Sequence, residues 1–319
     1  MPVPPIPSIT PFCGSGASGF TYAGQPSLRL RFTLEAQNTA GIRTQNYDST
    51  YANGNGLVDL LAENNNNNIN LAARLDHTAT LWPVWTTGRF VVDKTGTFSR
   101  FSPADGPYDL LEIGARVTRA SAADGDTDGI RVTPQNITVA GRNGVLLPGP
   151  TSVRHGRAKL FNAYGSELLN LPVPFLAEYW SANGWTVNAL DTCTGNVVLP
   201  FAAGNAVSVT LATIAPAAWT TCVQDSGGPG LSGAGCIAAA PIAQRYREGA
   251  IPSVGFAGNF NLRLGAPGAG NTGAVTVTGS VPVWLQFPWT GGADLNPTAR
   301  ATFGVYPGNN LFIYQRENY

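Results

Sequence analysis

The sequence predicts an all-β protein, and three observations carry that prediction. The 319 residues include 38 Gly and 24 Pro, which cut the chain into short segments and supply turn chemistry between them. Where a segment has a period, the period is two. Leu28, Leu30, Phe32, Leu34 and Ala36 alternate with Arg29, Arg31, Thr33 and Glu35, the pattern of a strand with one face on a core and the other in water. Helix-period stretches are hard to find. A chain of this length holds about two domains of ~150 residues, so the expected architecture is two β-sandwich domains of broadly immunoglobulin-like type.

Taken in order, residues 1–17 are Pro-rich and read as an extended arm, with Cys13 inside it. The first sandwich is expected over 18–148. It opens with Phe20-Thr21-Tyr22-Ala23-Gly24-Gln25-Pro26 and the alternating strand, which turns at Asn38-Thr39-Ala40-Gly41. Asn64 to Asn68 is an unbroken asparagine run between Leu60-Leu61 and Ile69. Asparagine forms helices and strands poorly and tolerates left-handed backbone, so this is a loop tip. Thr97–Phe101 and Leu110–Val117 are strands. Ile137–Val139 and Val145–Leu147 flank Asn143-Gly144, a hairpin signal. Leu147-Pro148-Gly149-Pro150 marks the boundary to a second sandwich over 149–319. There Asn183-Gly184 makes another tight turn, between Trp180 and Trp185. The chain closes with a hairpin: a strand up to Tyr306, the turn Pro307-Gly308-Asn309-Asn310, and the apolar strand Leu311–Tyr314.

Composition limits the partners. Only 12% of residues are charged and the net charge is zero, so the basic footprint of a nucleic-acid binder is missing. No apolar run reaches the roughly eighteen residues of a membrane-spanning helix. Met1-Pro-Val-Pro-Pro-Ile-Pro lacks the basic and apolar regions of a signal peptide. If the protein is exported, its targeting segment is expected upstream of Met1.

Three motifs invite chemistry. Asp225-Ser226-Gly227-Gly228-Pro229, close after Cys222, matches the nucleophile loop of trypsin-like serine hydrolases, where Gly lets backbone N–H groups form an oxyanion hole beside the serine. The base would have to be His77 or His155, with Asp109 as the orienting acid. Neither histidine has the sequence context of those enzymes, and a Gly-rich loop held by a disulfide is the plainer reading. Asp124, Asp126 and Asp128 have the alternate carboxylate spacing of a calcium loop, with Gly129 for the sharp turn. The twelfth position is Gln135 rather than a bidentate Glu, so a surface site outside the EF-hand class is expected, calcium being the one cofactor the sequence suggests. Trp82 and Trp85, in Trp-Pro-Val-Trp, could stack on a sugar as a carbohydrate-binding face, or fill a core. His155, between Arg154 and Arg157, could take an anion, though a strand with a polar face explains it as well.

Several ordered motifs resemble one family. They are Thr302-Phe303-Gly304-Val305-Tyr306, Ile313-Tyr314-x-Arg316-Glu317-x-Tyr319, Arg154-His155-Gly156-Arg157, Asn162-Ala163-Tyr164-Gly165-Ser166-Glu167-Leu168, Asp191-Thr192-Cys193-Thr194 and Val283-Trp284-Leu285-x-Phe287-x-Trp289. Together they are similar to the C-terminal region of MshQ-like proteins, large bacterial surface proteins associated with the mannose-sensitive haemagglutinin type IV pilus. The match covers about residues 20–319, apart from the Gly-rich section near Cys222 to Cys236. The resemblance implies a non-catalytic structural or adhesive role at the bacterial surface. Pilin, other surface proteins or further copies of the chain would be the partners, through sheet-edge contacts, and glycan binding is in doubt without the family's upstream lectin-like domain.

In an exported protein the four cysteines should be oxidised, and four allow three connectivities. Cys222 and Cys236 bracket the flexible Gly-rich segment that the resemblance leaves uncovered, where a short-range cross-link removes much of the entropic cost of fixing the chain. That leaves Cys13 for Cys193. The expected bonds are therefore Cys13–Cys193 and Cys222–Cys236.

Overall fold

The computed structural model describes residues 8–15, 19–48, 51–52, 57–77, 83–118, 132–194, 207–214, 223–224, 257–260 and 262–304. The chain divides into two compact units. The first comprises Met1–Gly156 and Tyr179–Thr186, and the second Arg157–Glu178 and Val187–Tyr319. Among the described residues no helix is long and apolar enough to cross a membrane.

The first unit contains β1 (Ser8–Thr10), β2 (Phe20–Tyr22), β3 (Leu28–Glu35), β4 (Leu57–Asn64), β5 (Leu75–Asp76), β6 (Arg89–Phe98), β7 (Tyr108–Thr118), β8 (Ile137–Val139), β9 (Arg142–Leu146) and β10 (Thr151–Arg154). One sheet has the order β1-β3-β6-β5. The other runs β2-β10-β7-β9-β8, with β4 also paired to β7. Leu28, Leu30 and Phe32 from the first sheet share one core with Leu111, Ile113 and Val153 from the second. The alternation of β3 places every apolar residue from Leu28 to Phe32 inside and each intervening residue at the half-buried outer face. A one-residue slip would turn that set to water. Arg31 and Arg29 on the outer face stand beside Asp93 of β6, and Arg29 donates two bonds to its carboxylate at 2.6 and 2.7 Å.

Four expectations change against this unit. The described part of the Pro-rich arm is not an arm. Ser8–Thr10 pairs antiparallel with β3, and Ile9, Phe12 and Cys13 are buried. The apolar residues between the prolines have a core to enter, and pairing at a sheet edge tolerates Pro7 before the strand and Pro11 after it. The hairpin assigned to Asn143-Gly144 turns instead at Ala140-Gly141, whose φ angles are +50° and +77°, leaving Gly144 inside β9 opposite Ile137. A Cβ on Gly144 would lie 2.8 Å from both the Ala115 carbonyl and a Leu61 methyl. This glycine serves close packing, and its dipeptide mimics a turn. Strand β10, beyond Pro148, pairs with β7 and β2, so the first unit extends to Gly156. Trp85 is 6% exposed and packs on Tyr47 and Phe90 at ring distances of 5.0 and 5.5 Å. It is a core residue whose face cannot stack on a sugar.

The asparagine run is the loop tip its composition implies. Asn65, Asn66 and Asn68 have φ of +54°, +51° and +59°, a region asparagine enters at lower cost than most side chains. Four of the five are tied by hydrogen bonds. Asn64 Oδ1 accepts from Leu110 N, Asn65 N donates to Leu110 O, Asn67 Oδ1 accepts from Ile69 N, and Asn68 Oδ1 accepts from Ala140 N at 2.7 Å.

The remaining strands are β11 (Gly156–Leu160), β12 (Ala163–Gly165), β13 (Leu171–Pro172), β14 (Phe175–Ser181), β15 (Gly184–Val187), β16 (Ser208–Ile214), β17 (Val223–Gln224), β18 (Arg263–Leu264), β19 (Gly273–Ser280) and β20 (Thr298–Phe303). They form the sheets β12-β20-β19-β16, β11-β14-β15 and β13-β18-β17. A Cβ on Gly279 would meet the Phe175 ring at 2.8 Å and Leu160 at 3.4 Å, so β19 lies flat against β11 and β14 as the second layer of a sandwich. The protein is thus all-β, with two-layer, mainly antiparallel sandwiches of the immunoglobulin-like class. The first strand of the expected C-terminal hairpin is β20. The rest of that hairpin, 305–319, lies outside the described residues.

The two units share one pairing. A short strand lies parallel to a later one: β2 beside β10, and β12 beside β20. In β2 every residue is buried, while in β12 Tyr164 is exposed.

Candidate functional site

The densest chemistry among the described residues gathers where β10 of the first unit ends. Arg74 closes a short 3-10 turn, Ala72–Arg74, that leads into β5, and its side chain is buried. Its guanidinium lies 4.1 Å from the Phe101 ring centre and 4.4 Å from that of Phe98. Its nitrogens donate to Asp105, to the Ser99 carbonyl at 2.6 Å and to the Tyr108 hydroxyl at 2.6 Å. The Tyr108 hydroxyl in turn donates to Asp105 at 3.0 Å. Burial pushes the Tyr108 phenol up from its ordinary value, and the Asp105 carboxylate adds to the rise while Arg74 opposes it.

His155, just after β10, joins this group from the other side. Its Nε2 accepts from Arg100 Nε at 2.9 Å, and Arg100 also donates to the Gly156 carbonyl at 3.3 Å. An accepting Nε2 carries no proton, so the neutral ring holds its proton on Nδ1, which faces Asp105 at 3.9 Å. The ring sits edge-on to Trp185 at 6.0 Å, and the His155 carbonyl accepts from Trp180 N. Burial first, then the Arg100 charge, push His155 down to about 4, so at neutral pH it is an uncharged acceptor.

The imidazole nitrogen that would take a proton from a serine is already bonded to a guanidinium, and the ring is buried. His77 is engaged as well. Its buried ring donates from Nε2 to the Leu28 carbonyl at 3.1 Å, and burial pushes it below its ordinary value. The cluster fits a rigid polar joint in which each charge has a partner.

The other sites expected from sequence divide as follows. Cys13 and Cys193 are both disulfide-bonded. Cys13 exchanges two backbone bonds with Phe20, at 3.0 and 2.8 Å, and Cys193 N donates to Asp191 Oδ1 at 3.1 Å. Cys222, Cys236, Ser226, Trp82, Asp124, Asp126 and Asp128 lie outside the described residues. Among the described residues no three His, Cys, Asp or Glu side chains converge as a metal site. Asp109, the acid considered for a triad, lies 3.9 Å from Arg154 and accepts from the Ser152 hydroxyl. Sequence reading missed Arg74, Arg100 and Asp105. Their only local signal is Arg100 between Phe98 and Phe101, and nothing in the spacing of Arg74 and Asp105 announces contact.

Comparison with known proteins gives two family matches. The model of DUF6701, fourth domain, matches residues 154–318, and that of DUF6701, third domain, matches residues 5–141. No curated protein matches the sequence. Among solved structures, the Yersinia pseudotuberculosis adhesin InvE is similar with a TM-score of 0.27 at 10% identity, over 90% of this chain and 56% of that one. Domains 4–9 of the surface layer protein SbsC give 0.20 at 10% identity, over 94% of this chain and 31% of that one. Extracellular domains 3–5 of Drosophila OTK give 0.19 at 8% identity, over 95% and 68%. None of these scores is that of a shared overall fold.

Proposed function

This chain belongs to the DUF6701 family, and on that premise we propose that it is a non-catalytic, adhesive or load-bearing part of a bacterial surface protein. The observation that carries the reading is the oxidised state of Cys13 and Cys193. Disulfides persist outside the reducing cytosol, and a zero net charge on an all-β scaffold suits a part that is built to be held rather than to react. The resemblance to MshQ-like proteins supports the finer assignment, attachment to a type IV pilus, with pilin or neighbouring copies as partners. The cysteines pair as Cys13–Cys193 and Cys222–Cys236.

Gold-labelled antibody on intact cells, before and after the pili are sheared off, tests the assignment. Label on the cell exterior that falls with the pili is the expected outcome. Label that survives shearing unchanged removes the pilus from the reading, and label reached only after lysis removes the surface altogether. Peptide mapping without reductant tests the bonds on the same preparation. A Cys193–Cys222 peptide would refute the pairing.

A further inference from the structure

The parallel closing strand that is buried in the first unit is left open in the second, and what surrounds it is shaped for a ligand. After β12 the chain turns at Ser166 to Leu169, with Leu168 N donating to Ser166 Oγ at 3.1 Å and Leu169 N to Ser166 O at 3.3 Å. It returns through β13 to Pro174, whose carbonyl accepts from Phe161 N at 3.0 Å. Both arms alternate in phase. Ala163, Leu171 and Val173 are buried, while Asn162, Tyr164, Asn170, Pro172 and Pro174 are exposed. The exposed set frames an open pocket of about 360 Å³, within the size range of small-ligand sites. The close approach of the arms needs Gly165, because a Cβ there would lie 2.8 Å from a Leu171 methyl.

The lining specifies the chemistry of an occupant. Among the described residues no charged side chain lines the pocket, so an ionic ligand would meet no counter-charge from them. Tyr164 is 50% exposed and offers an aromatic surface. The two asparagines are held in one orientation. Asn162 Oδ1 accepts from Arg300 N at 2.8 Å, and Asn170 Oδ1 accepts from Ala266 N at 3.0 Å. Their oxygens are thereby fixed in place, and neither Nδ2 has a protein partner among the described residues. The Ser166 hydroxyl, already accepting from Leu168, keeps its proton to donate. Pre-oriented neutral donors around an aromatic surface match a ring that carries hydroxyl oxygens and a face of C–H groups. The geometry points to this pocket as a binding site for a neutral hexopyranoside, one sugar residue of a glycan. The site stands on its own geometry and does not depend on where in the cell the protein is found.

The test uses the full chain and the methyl glycosides of glucose, galactose, mannose and N-acetylglucosamine, read by saturation-transfer NMR and by titration of the tyrosine resonances. At least one glycoside should receive saturation and shift Tyr164. Asn162→Asp and Asn170→Asp keep the bonded oxygen and replace the donor, so each should weaken binding by about tenfold, one donor's worth, with Tm unchanged. Tyr164→Ala should abolish the signal and also leave Tm unchanged. The proposal fails if none of these glycosides is bound, or if a glycoside binds equally to the Asn170→Asp variant. It fails too if an extended proline-rich peptide is bound at Tyr164 in place of every sugar. Because the readout is binding by purified protein, failure here leaves the surface assignment standing, and failure of the cell labelling leaves the pocket standing.

Discussion

The two closing strands, β2 and β12, occupy the same place in their units and have opposite surroundings. Both are three residues long and both lie parallel to a later strand of the unit. Phe20, Thr21 and Tyr22 are each 0% exposed, and the Arg154 guanidinium sits 5.5 Å above the Phe20 ring. In β12 the middle residue, Tyr164, is half in water. The parallel pairing is the same in both units, but nothing in it requires the paired strand to be covered. Where it is covered, aromatic side chains contribute to stability. Where it is open, the same residue type is available for recognition.

The widest separation is expected from truncating the aromatic residue in each strand. Phe20→Ala should cost about 3–5 kcal/mol of folding stability, the range for a large buried ring. Tyr164→Ala should stay within about 0.5 kcal/mol, as exposed substitutions do. Urea melts of the two variants give the answer, and equal losses would erase the distinction.

Acid should act next, and on the first unit. His155 directly follows β10, and its folded value of about 4 lies below the ordinary 6.5. Unfolded chain therefore takes up the proton first. Stability is fully present above pH 6.5 and is lost as pH falls through about 4. The drop from 6.5 to about 4 corresponds to about 3 kcal/mol. The groups facing the ring are Arg100, Asp105 and Arg74, so protonation sets a third cation against a single carboxylate. His77 shifts the same way and adds to the slope. His155→Gln should flatten the part of the pH profile above pH 5, where most carboxylates are still ionised. A variant profile parallel to that of the parent would show that the ring does not carry the effect.

The smallest effect concerns one hydrogen bond of the buried strand. Phe12 N donates to Thr21 Oγ1 at 3.0 Å, so Thr21→Val keeps the shape and leaves that N–H without its acceptor. A loss of about 1–3 kcal/mol is expected, measurable as faster amide exchange at Phe12 together with a lowered melting midpoint. No change at Phe12 would mean that β2 is held by packing alone.

Much of the scaffold was legible in sequence because it rests on local pattern. The alternation from Leu28 to Ala36 produced β3, and the asparagine run produced a turn. What stayed hidden depends on clearance or on distance. Gly144 looks like a turn glycine because the letters Asn-Gly carry no record of the Ala115 carbonyl beneath it. Ile9 enters a sheet although prolines surround it, because it pairs with Leu30 of β3, a partner that the Pro-rich run does not announce. The Arg74 site assembles from residues 25 to 34 positions apart, a separation with no periodicity to detect. The pocket around Tyr164 rests on Asn162 and Asn170, whose backbone partners at Arg300 and Ala266 are 138 and 96 positions away.

The asparagine turn after β4 bears on how this protein can change over generations. Tracts of one repeated residue are prone to gain and lose copies during replication, and most surface loops absorb such changes cheaply. Here Asn64 and Asn65 both bond Leu110, Asn67 bonds Ile69, and Asn68 reaches Ala140 at the tip of another hairpin. A sixth asparagine would leave Asn at each of these positions but push Ile69, whose N–H donates to Asn67 Oδ1, one place along the chain. The tract looks like the most length-variable stretch of the chain, and its geometry makes it one of the least free to vary.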